Sequence, residues 1–349
     1  MTKSIGIRDI AEALGISIGT VDRALHGRYG INPTTRENVI KKAQELGYSP
    51  NIAARSLKLN HRFRIGVFFP REIASYFDPL RAGVRAAATS STGVNVDLAF
   101  RTFSRFDKGD AEMLSSSLKE EFNGILVAPG NPDRVGPILT EYSRKGTAIV
   151  CVASDAPRSE RIASVTVDSE VCGALAAELF SRTVQKQGSL AVITGELTTM
   201  DHAEKLRGFA ANLAVYAPHL SMLPAIESLD RPALAHRQTI NLLSRRPAPL
   251  GIYVSTANSL PVLRAMEEKG VLGKIQIVTT DLFPELVPYI ESGRLLATLY
   301  QRPFTQGRRA FELLLAYLIN GKAPEPCVRI APHIIMRSNL SLFPTGISE

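Results

Sequence analysis

Residues 7–25 read IRDIAEALGISIGTVDRAL. The pentapeptide at their centre, Gly15–Gly19, fits the G-x-S-x-G pattern of a hydrolase nucleophile elbow. That pattern carries catalysis only where a strand enters it and a helix leaves it. Here Ile7, Ile10, Ala11 and Leu14 precede it at i, i+3, i+4 and i+7, the apolar stripe of an amphipathic helix. Gly15 suits the left-handed residue that ends a helix. Ser17 is a good N-cap for a second helix, with Val21, Ala24 and Leu25 as its buried face. The pentapeptide therefore joins helix to helix, and Ser17 reads as a cap instead of a nucleophile. The sequence has no Walker loop, dinucleotide-binding glycine fingerprint or H-E-x-x-H segment, so no enzyme is expected.

Two short helices joined by a tight glycine turn form the helix-turn-helix of DNA-binding proteins. A third helix is expected from Asn32 as N-cap and Pro33 at the first position, with Val39, Ile40, Ala43 and Leu46 as its stripe and Gly47 at its end. Charge is concentrated in the same region. The first 64 residues carry 11 Lys/Arg against 5 Asp/Glu, which is +6 of the formal +8 of all 349 residues. A basic head on a near-neutral body points to a polyanionic partner at one end. Hydrophobic content of 45% is ordinary for a globular chain. No apolar run reaches the roughly 18 residues of a membrane span, and the first residues lack a signal-peptide core. A cytoplasmic protein is the expectation. Cys151, Cys172 and Cys327 have no metal-ligand spacing, so neither metal nor cofactor is expected.

"GIRDIAEALGISIGTVDRALHG" followed by "TRENVIKKAQELGYSPNIAARSLKLN" resembles the headpiece of the LacI/GalR family of transcription regulators. The resemblance implies that the second helix lies in the major groove of double-stranded operator DNA, with Ser17, Ile18, Gly19, Thr20 and Arg23 as its contact set. Thr20 would offer a hydroxyl to phosphate, and Arg23 a bidentate contact to guanine. Gly19 has no side chain for base reading, and Asp22 stands where the family usually has Ser. "SPNIAARSLKLN" resembles the family's hinge helix, which implies Asn51, Arg55 and Lys58 at the DNA backbone or groove and Leu57 as the wedge in a minor-groove step.

From Ile65 onward the pattern changes. "RIGVFF", "GILVAP", "AIVCVA", "SLAVITG", "LGIYVS" and "IQIVTTD" are short apolar runs separated by helical stretches, which predicts doubly wound parallel sheets in two lobes. "SYFDPLRAGVRAAA", "NGILVAPGNPD", "EKLRGF", "TTDLFPEL" and "SGRLLATLYQRPFTQG" resemble sugar-binding proteins of the ribose-binding type. The resemblance implies a headpiece at 1–49, a hinge at 50–64 and a type I periplasmic-binding-protein-like body at 65–349. One lobe is expected at about 65–166 and 303–331, the other at about 167–302 and 332–349. It further implies a ligand site at strand ends: Tyr76 and Phe77 as an aromatic platform, Asp155 as an acid accepting hydroxyl protons, and His202, Lys205, Ser255, Thr256, Asn258, Asp281 and Gln301 as polar contacts. Lys205 stands where an Arg is common, which fits a sugar acid or phosphate as well as a sugar. Asp168 reads as a helix cap. The expectation is a homodimeric repressor controlled by a small carbohydrate-like effector. The alternatives are a periplasmic-type sugar-binding protein, a DNA-binding protein whose pocket has lost its ligand, and, least favoured, a serine hydrolase.

Overall fold

The structure is a computed structural model that describes residues 6–25, 30–46 and 62–343. They fall into a small helical unit and an α/β unit beginning at Arg62. No helix among them is long and apolar enough to cross a membrane.

The helical unit holds α1 (Ile7–Leu14), α2 (Ile18–Leu25) and α3 (Pro33–Glu45). Its core is Ile10, Ala11, Val21, Ala24, Val39 and Ala43. Gly15 sits at φ +63° and closes α1 by donating to the Glu12 carbonyl, while Ile16 N reaches Ala11 O. That is the left-handed exit which glycine adopts without steric cost. Ser17 Oγ accepts from Thr20 N at 3.1 Å, and Asn32 Oδ1 accepts from Thr34 N at 2.9 Å, so both caps are made. Ile40, placed in the apolar stripe by sequence, is exposed instead.

The α/β unit contains two sheets. The first has the order β12-β5-β4-β3-β1-β2, from β1 (Arg62–Pro70), β2 (Asn95–Phe103), β3 (Gly124–Val127), β4 (Ala148–Val152), β5 (Ala163–Val167) and β12 (Cys327–Ile330). The second has the order β13-β11-β10-β9-β6-β7, with β8 also paired to β6. Its strands are β6 (Gly188–Thr194), β7 (Leu220–Met222), β8 (Ile226–Glu227), β9 (Gly251–Val254), β10 (Gln276–Thr280), β11 (Ala297–Tyr300) and β13 (His333–Ile335). β3, β4, β5 and β9 are buried at every position, and β3, β4 and β9 read as unbroken apolar runs for that reason, while β5 also buries Ser164 and Thr166. The chain crosses between the lobes three times: after β5, after β11, and between β12 and β13.

Helices α4 (Ala74–Ser90), α5 (Asp110–Ser117), α6 (Pro132–Arg144), α7 (Ser169–Thr183), α8 (Met200–Tyr216), α9 (Pro232–Leu243), α10 (Leu260–Glu268), α11 (Val287–Glu291) and α12 (Pro303–Asn320) connect the strands. Asp168 caps α7 by accepting from Val171 N at 3.1 Å. Each lobe contains one helix pair in very close contact. In α4 and α12, Gly83 faces the Phe304 carbonyl and Gly307 the Leu80 carbonyl. In α7 and α8, Gly173 faces the Lys205 carbonyl and Gly208 the Glu170 carbonyl. A Cβ at any of these four would strike backbone, which cannot swing aside. Gly208→Ala is therefore expected to cost about 3 kcal/mol or more, the upper end for overpacking. Gly136→Ala in α6, where a Cβ meets nothing within 4 Å, should be neutral or stabilising. Urea unfolding of the two variants tests this; equal stabilities would remove close packing as the reason for these glycines.

Candidate functional site

The cleft between the two sheets encloses about 320 Å3 of space counting its open mouth. One wall comes from the first turn of α4 and from loops of the first lobe: Ile73, Tyr76, Phe77, Phe106 and Ala153. The other comes from α8 and the loops after β8 and β9, with Asp201, His202, Lys205, Asp230, Thr256 and Ala257. Gln301 closes it at the crossing after β11.

Backbone strain marks the same place. Among the described residues, seven non-glycine residues have positive φ: Ile73, Asp107, Ala153, Leu229, Asp230, Asp281 and Arg302, at 51–68°. Each lines the cleft, adjoins a lining residue or, in the case of Asp281, bonds to one. Such conformations cost about 1–3 kcal/mol each and persist where surrounding structure enforces them. Local hydrogen bonds do so here: Asp281 N donates to Leu299 O at 2.9 Å, and Thr298 Oγ1 to Asp281 O at 2.5 Å.

A continuous polar network runs through the floor. Ser169 Oγ donates to Asp201 Oδ1 at 2.7 Å, and Lys205 Nζ donates to Asp201 Oδ2 at 2.7 Å and to Gln301 Oε1 at 2.6 Å. Gln301 then donates through Nε2 to Asp281 Oδ2 at 2.6 Å and through its backbone N to Asp281 Oδ1 at 3.1 Å. Its carbonyl accepts from Gln306 Nε2 at 2.7 Å, and Gln306 Oε1 accepts from Tyr76 OH at 3.3 Å. The network thus links α8 of the second lobe, through the crossing, to α4 and α12 of the first.

Burial sets the electrostatics of this network. It pushes the Asp281 carboxyl up to about 6, with Lys205 and the Gln301 donors only partly opposing it. For Asp201, burial is outweighed by Lys205, His202 and the Ser169 hydroxyl, so its carboxyl lies below the ordinary value. Burial is likewise outweighed at Lys205 by Asp201, which raises the ammonium above its ordinary value. The Tyr76 hydroxyl is raised well above its usual range by burial, then by Asp281 and Asp201. The pair Asp201–Lys205 is therefore ionised at neutral pH.

The aromatic groups form a chain of edge contacts. Tyr76 and Phe77 have centroids 5.0 Å apart at 86°, Phe77 and Phe106 5.5 Å apart at 71°, and Phe106 reaches His202 across the lobes at 6.1 Å and 90°. Tyr76 and Phe77 are thus perpendicular rings, not one flat platform. His202 Nδ1 lies 3.1 Å from both Glu196 N and Glu196 O, which fixes the imidazole at the rim.

The structure brings Tyr76, Phe77, His202, Lys205, Thr256 and Gln301 together at the cleft, with Asp281 directly behind Gln301. Asp155 does not join them, which corrects the sequence reading. Arg161 holds it by Nε on Oδ1 and by Nη2 on Oδ2 at 2.6 Å, while Ala156 N also donates to Oδ1 at 2.7 Å. Its acceptor capacity is committed inside the first lobe. Ser255 is fully buried beneath the lining. Asn258 faces a neighbouring depression with Ser75, Leu260 and Phe283. Sequence reasoning missed Asp201, Asp230 and Phe106. Asp201 had a signal, because it stands four residues before Lys205 on one helix face.

In the helical unit Ser17, Ile18, Gly19 and Arg23 are exposed and Thr20 is half-buried, while Val21 and Ala24 face the core. Ser17 Oγ and Thr20 Oγ1 are 2.8 Å apart. Asn51, Arg55, Leu57 and Lys58 lie outside the described residues. Among the described residues there is no group of three or more His, Cys, Asp or Glu side chains arranged to hold a metal ion.

Residues 6–51 match the family model for bacterial regulatory proteins of the lacI family, and residues 65–323 match the periplasmic binding protein domain. Relatives include catabolite control protein A of Priestia megaterium, 24% identical over 95% of this chain and 98% of that protein. The HTH-type transcriptional repressor PurR of Vibrio atlanticus is 26% identical, over 96% of this chain and 98% of its own. Among solved structures, the glucose-galactose binding protein GanP of Geobacillus stearothermophilus aligns with TM-score 0.73 at 22% identity, over 80% of this chain and 99% of that one. A solute-binding protein of Burkholderia graminis in complex with D-arabinose aligns equally well, at 21% identity over 80% and 97%.

Proposed function

The chain belongs to the lacI family of bacterial regulatory proteins, and we propose that it is a repressor whose affinity for operator DNA is set by a small carbohydrate-like effector bound between its lobes. The observation that carries this reading is the buried network through Gln301. Its partners lie on both lobes and on the crossing between them, so a ligand that competes for those hydrogen bonds changes the preferred angle between the lobes. In a homodimer, that angle sets the separation of the two hinge segments and so the fit to a pseudo-palindromic site. The coupling is reciprocal: operator and effector alter each other's affinity by the same factor. The resemblance to sugar-binding folds, together with the mixed aromatic and polar lining, supports a carbohydrate effector. Asn51, Arg55, Leu57 and Lys58 complete the proposed DNA contacts, with Leu57 as the wedge.

The test begins with sequences selected by the full-length protein from random DNA. Arg23→Ala is expected to lower affinity for the selected site about 5- to 150-fold if Arg23 reads a base, from about 1–3 kcal/mol. It would instead shallow the salt dependence by about one counterion if Arg23 holds phosphate. A thermal-stability screen with sugars and their derivatives then identifies the effector, since ligand at a hundred times its Kd adds about 2.7 kcal/mol. Failure to enrich any sequence, or an effector that binds without altering DNA affinity, would overturn the reading.

A further inference from the structure

We infer that the cleft selects an uncharged, hydroxyl-bearing ligand over phosphates and carboxylates, and that Asp230 is the side chain that reads the ligand's hydroxyl donors. This rests on the reading of the cleft as an effector site and narrows what the effector is.

An anionic ligand needs a cation to meet it. Among the described residues lining the cleft, Lys205 is the one Lys or Arg, and its charge is already spent. It is 1% exposed, and it donates to Asp201 Oδ2 at 2.7 Å and to Gln301 Oε1 at 2.6 Å. A phosphate could reach only the third Nζ hydrogen of this buried ammonium, beside the Asp201 carboxylate that already neutralises it, so the anion would be desolvated without a free counter-charge. The substitution of Lys for the Arg common at this position therefore does not convert the cleft into an anion site.

With Asp201 and Lys205 cancelling, Asp230 is the remaining formal charge of the lining. Its carboxylate is 3% exposed, and Oδ1 accepts from Thr256 Oγ1 at 2.6 Å. No Lys or Arg within ion-pair distance is found for it among the described residues. The chain is built to hold it there. Leu229 and Asp230 are consecutive left-handed residues, and the loop before them is tied to β6 through Ser228 N and Ser228 Oγ, which donate to Thr194 O at 2.8 and 2.7 Å. Gly195 leaves the space in which Asp230 Oδ2 and the His202 ring approach one another; a Cβ there would overlap both. At the rim, acidic groups of both lobes stand near Glu196, with Arg105 opposing them. Burial, and then Asp107 from one lobe and Glu227 from the other, raise the Glu196 carboxyl.

An acceptor of this kind suits a hydroxyl, which donates to the carboxylate and accepts from a neighbour. Asp281 contributes less directly, because Gln301 occupies both of its oxygens. The edges and faces of Tyr76, Phe77 and Phe106 supply apolar surface for the C–H side of such a ligand.

The test uses calorimetric titration of the full-length protein with matched sets: pentoses, hexoses and cyclitols beside their phosphates and the corresponding uronic acids. Binding of an uncharged member, without its phosphate or acid, is the expected result. Asp230→Asn keeps the shape and an acceptor for Thr256 but removes the charge. It should weaken that ligand about 10- to 100-fold, the worth of a hydrogen bond to a charged group, and narrow the discrimination against the phosphate. A phosphate or acid that binds where its uncharged parent does not would overturn the inference and leave the effector site standing. Undiminished affinity in Asp230→Asn would remove Asp230 from recognition. Silence across every set would overturn the effector-site reading itself.

Discussion

Replacing Lys205 by Met is expected to destabilise the α/β unit by about 3–5 kcal/mol, the cost of removing one partner from a buried ion pair. The side chain is 1% exposed, so water cannot take over its role. Its loss strands Asp201 Oδ2 and Gln301 Oε1, the two acceptors that it joins. Methionine fills most of the volume, so the loss reports charge and hydrogen bonding, with little contribution from a cavity. The double variant Lys205→Met, Asp201→Leu removes both charges and should recover most of the stability, because a buried pair replaced as a pair by apolar groups is often neutral. Urea unfolding at pH 7 measures both. A single variant within 1 kcal/mol of the parent would mean that Asp201 finds another partner or takes up a proton, and that the network does not join the lobes as described.

The contrast between Lys205 and its partners shows what a sequence discloses. The helical head was legible because its signals are local: stripes at helical spacing, Gly15 at an exit, Ser17 and Asn32 as caps. Central strands such as β4 and β9 were legible because burial on both faces leaves nothing but apolar residues. The edge strand β2 gave no comparable run, since nearly all of its residues are only partly buried. The site divides in the same way. Tyr76, Lys205, Thr256 and Gln301 follow strand ends or lie on a helix that the pattern locates. Asp155 has that placement too, but Arg161, six residues on, folds back and claims it, which depends on a loop path that no periodicity encodes. Asp230 is the converse case. Its position in the cleft comes from two left-handed residues and an empty Cβ position at Gly195, thirty-five residues earlier in the chain, and "SLDRP" reads only as a turn.

Asp281 is expected to make the protein more stable on mild acidification, against the usual trend for carboxylates. Burial raises its carboxyl to about 6 from an ordinary 3.8, so between those values the folded state holds a proton that the unfolded chain releases. Stability then falls as pH rises through this window. The penalty is fully present above pH 6 and relieved as pH approaches 4; about two pKa units correspond to about 3 kcal/mol. Asp201 runs the other way. Its carboxyl is lowered, so its contribution is present above its ordinary value of 3.8 and lost as pH falls through the lower folded value, outside the Asp281 window. Lys205, raised above 10.5, keeps its contribution throughout the acid range. Asp281→Asn isolates the effect, since Asn is neutral at every pH and other titrations cancel in the difference. Wild type is expected to gain about 3 kcal/mol relative to the variant between pH 7 and pH 4, measured by urea unfolding at each pH. A flat difference would mean that Lys205 and the Gln301 donors fully offset burial. A difference of opposite slope would make Asp281 a carboxylate held ionised by Lys205. Protonation also weakens its acceptance of the two Gln301 N–H groups, so the crossing between the lobes should loosen in the same pH window.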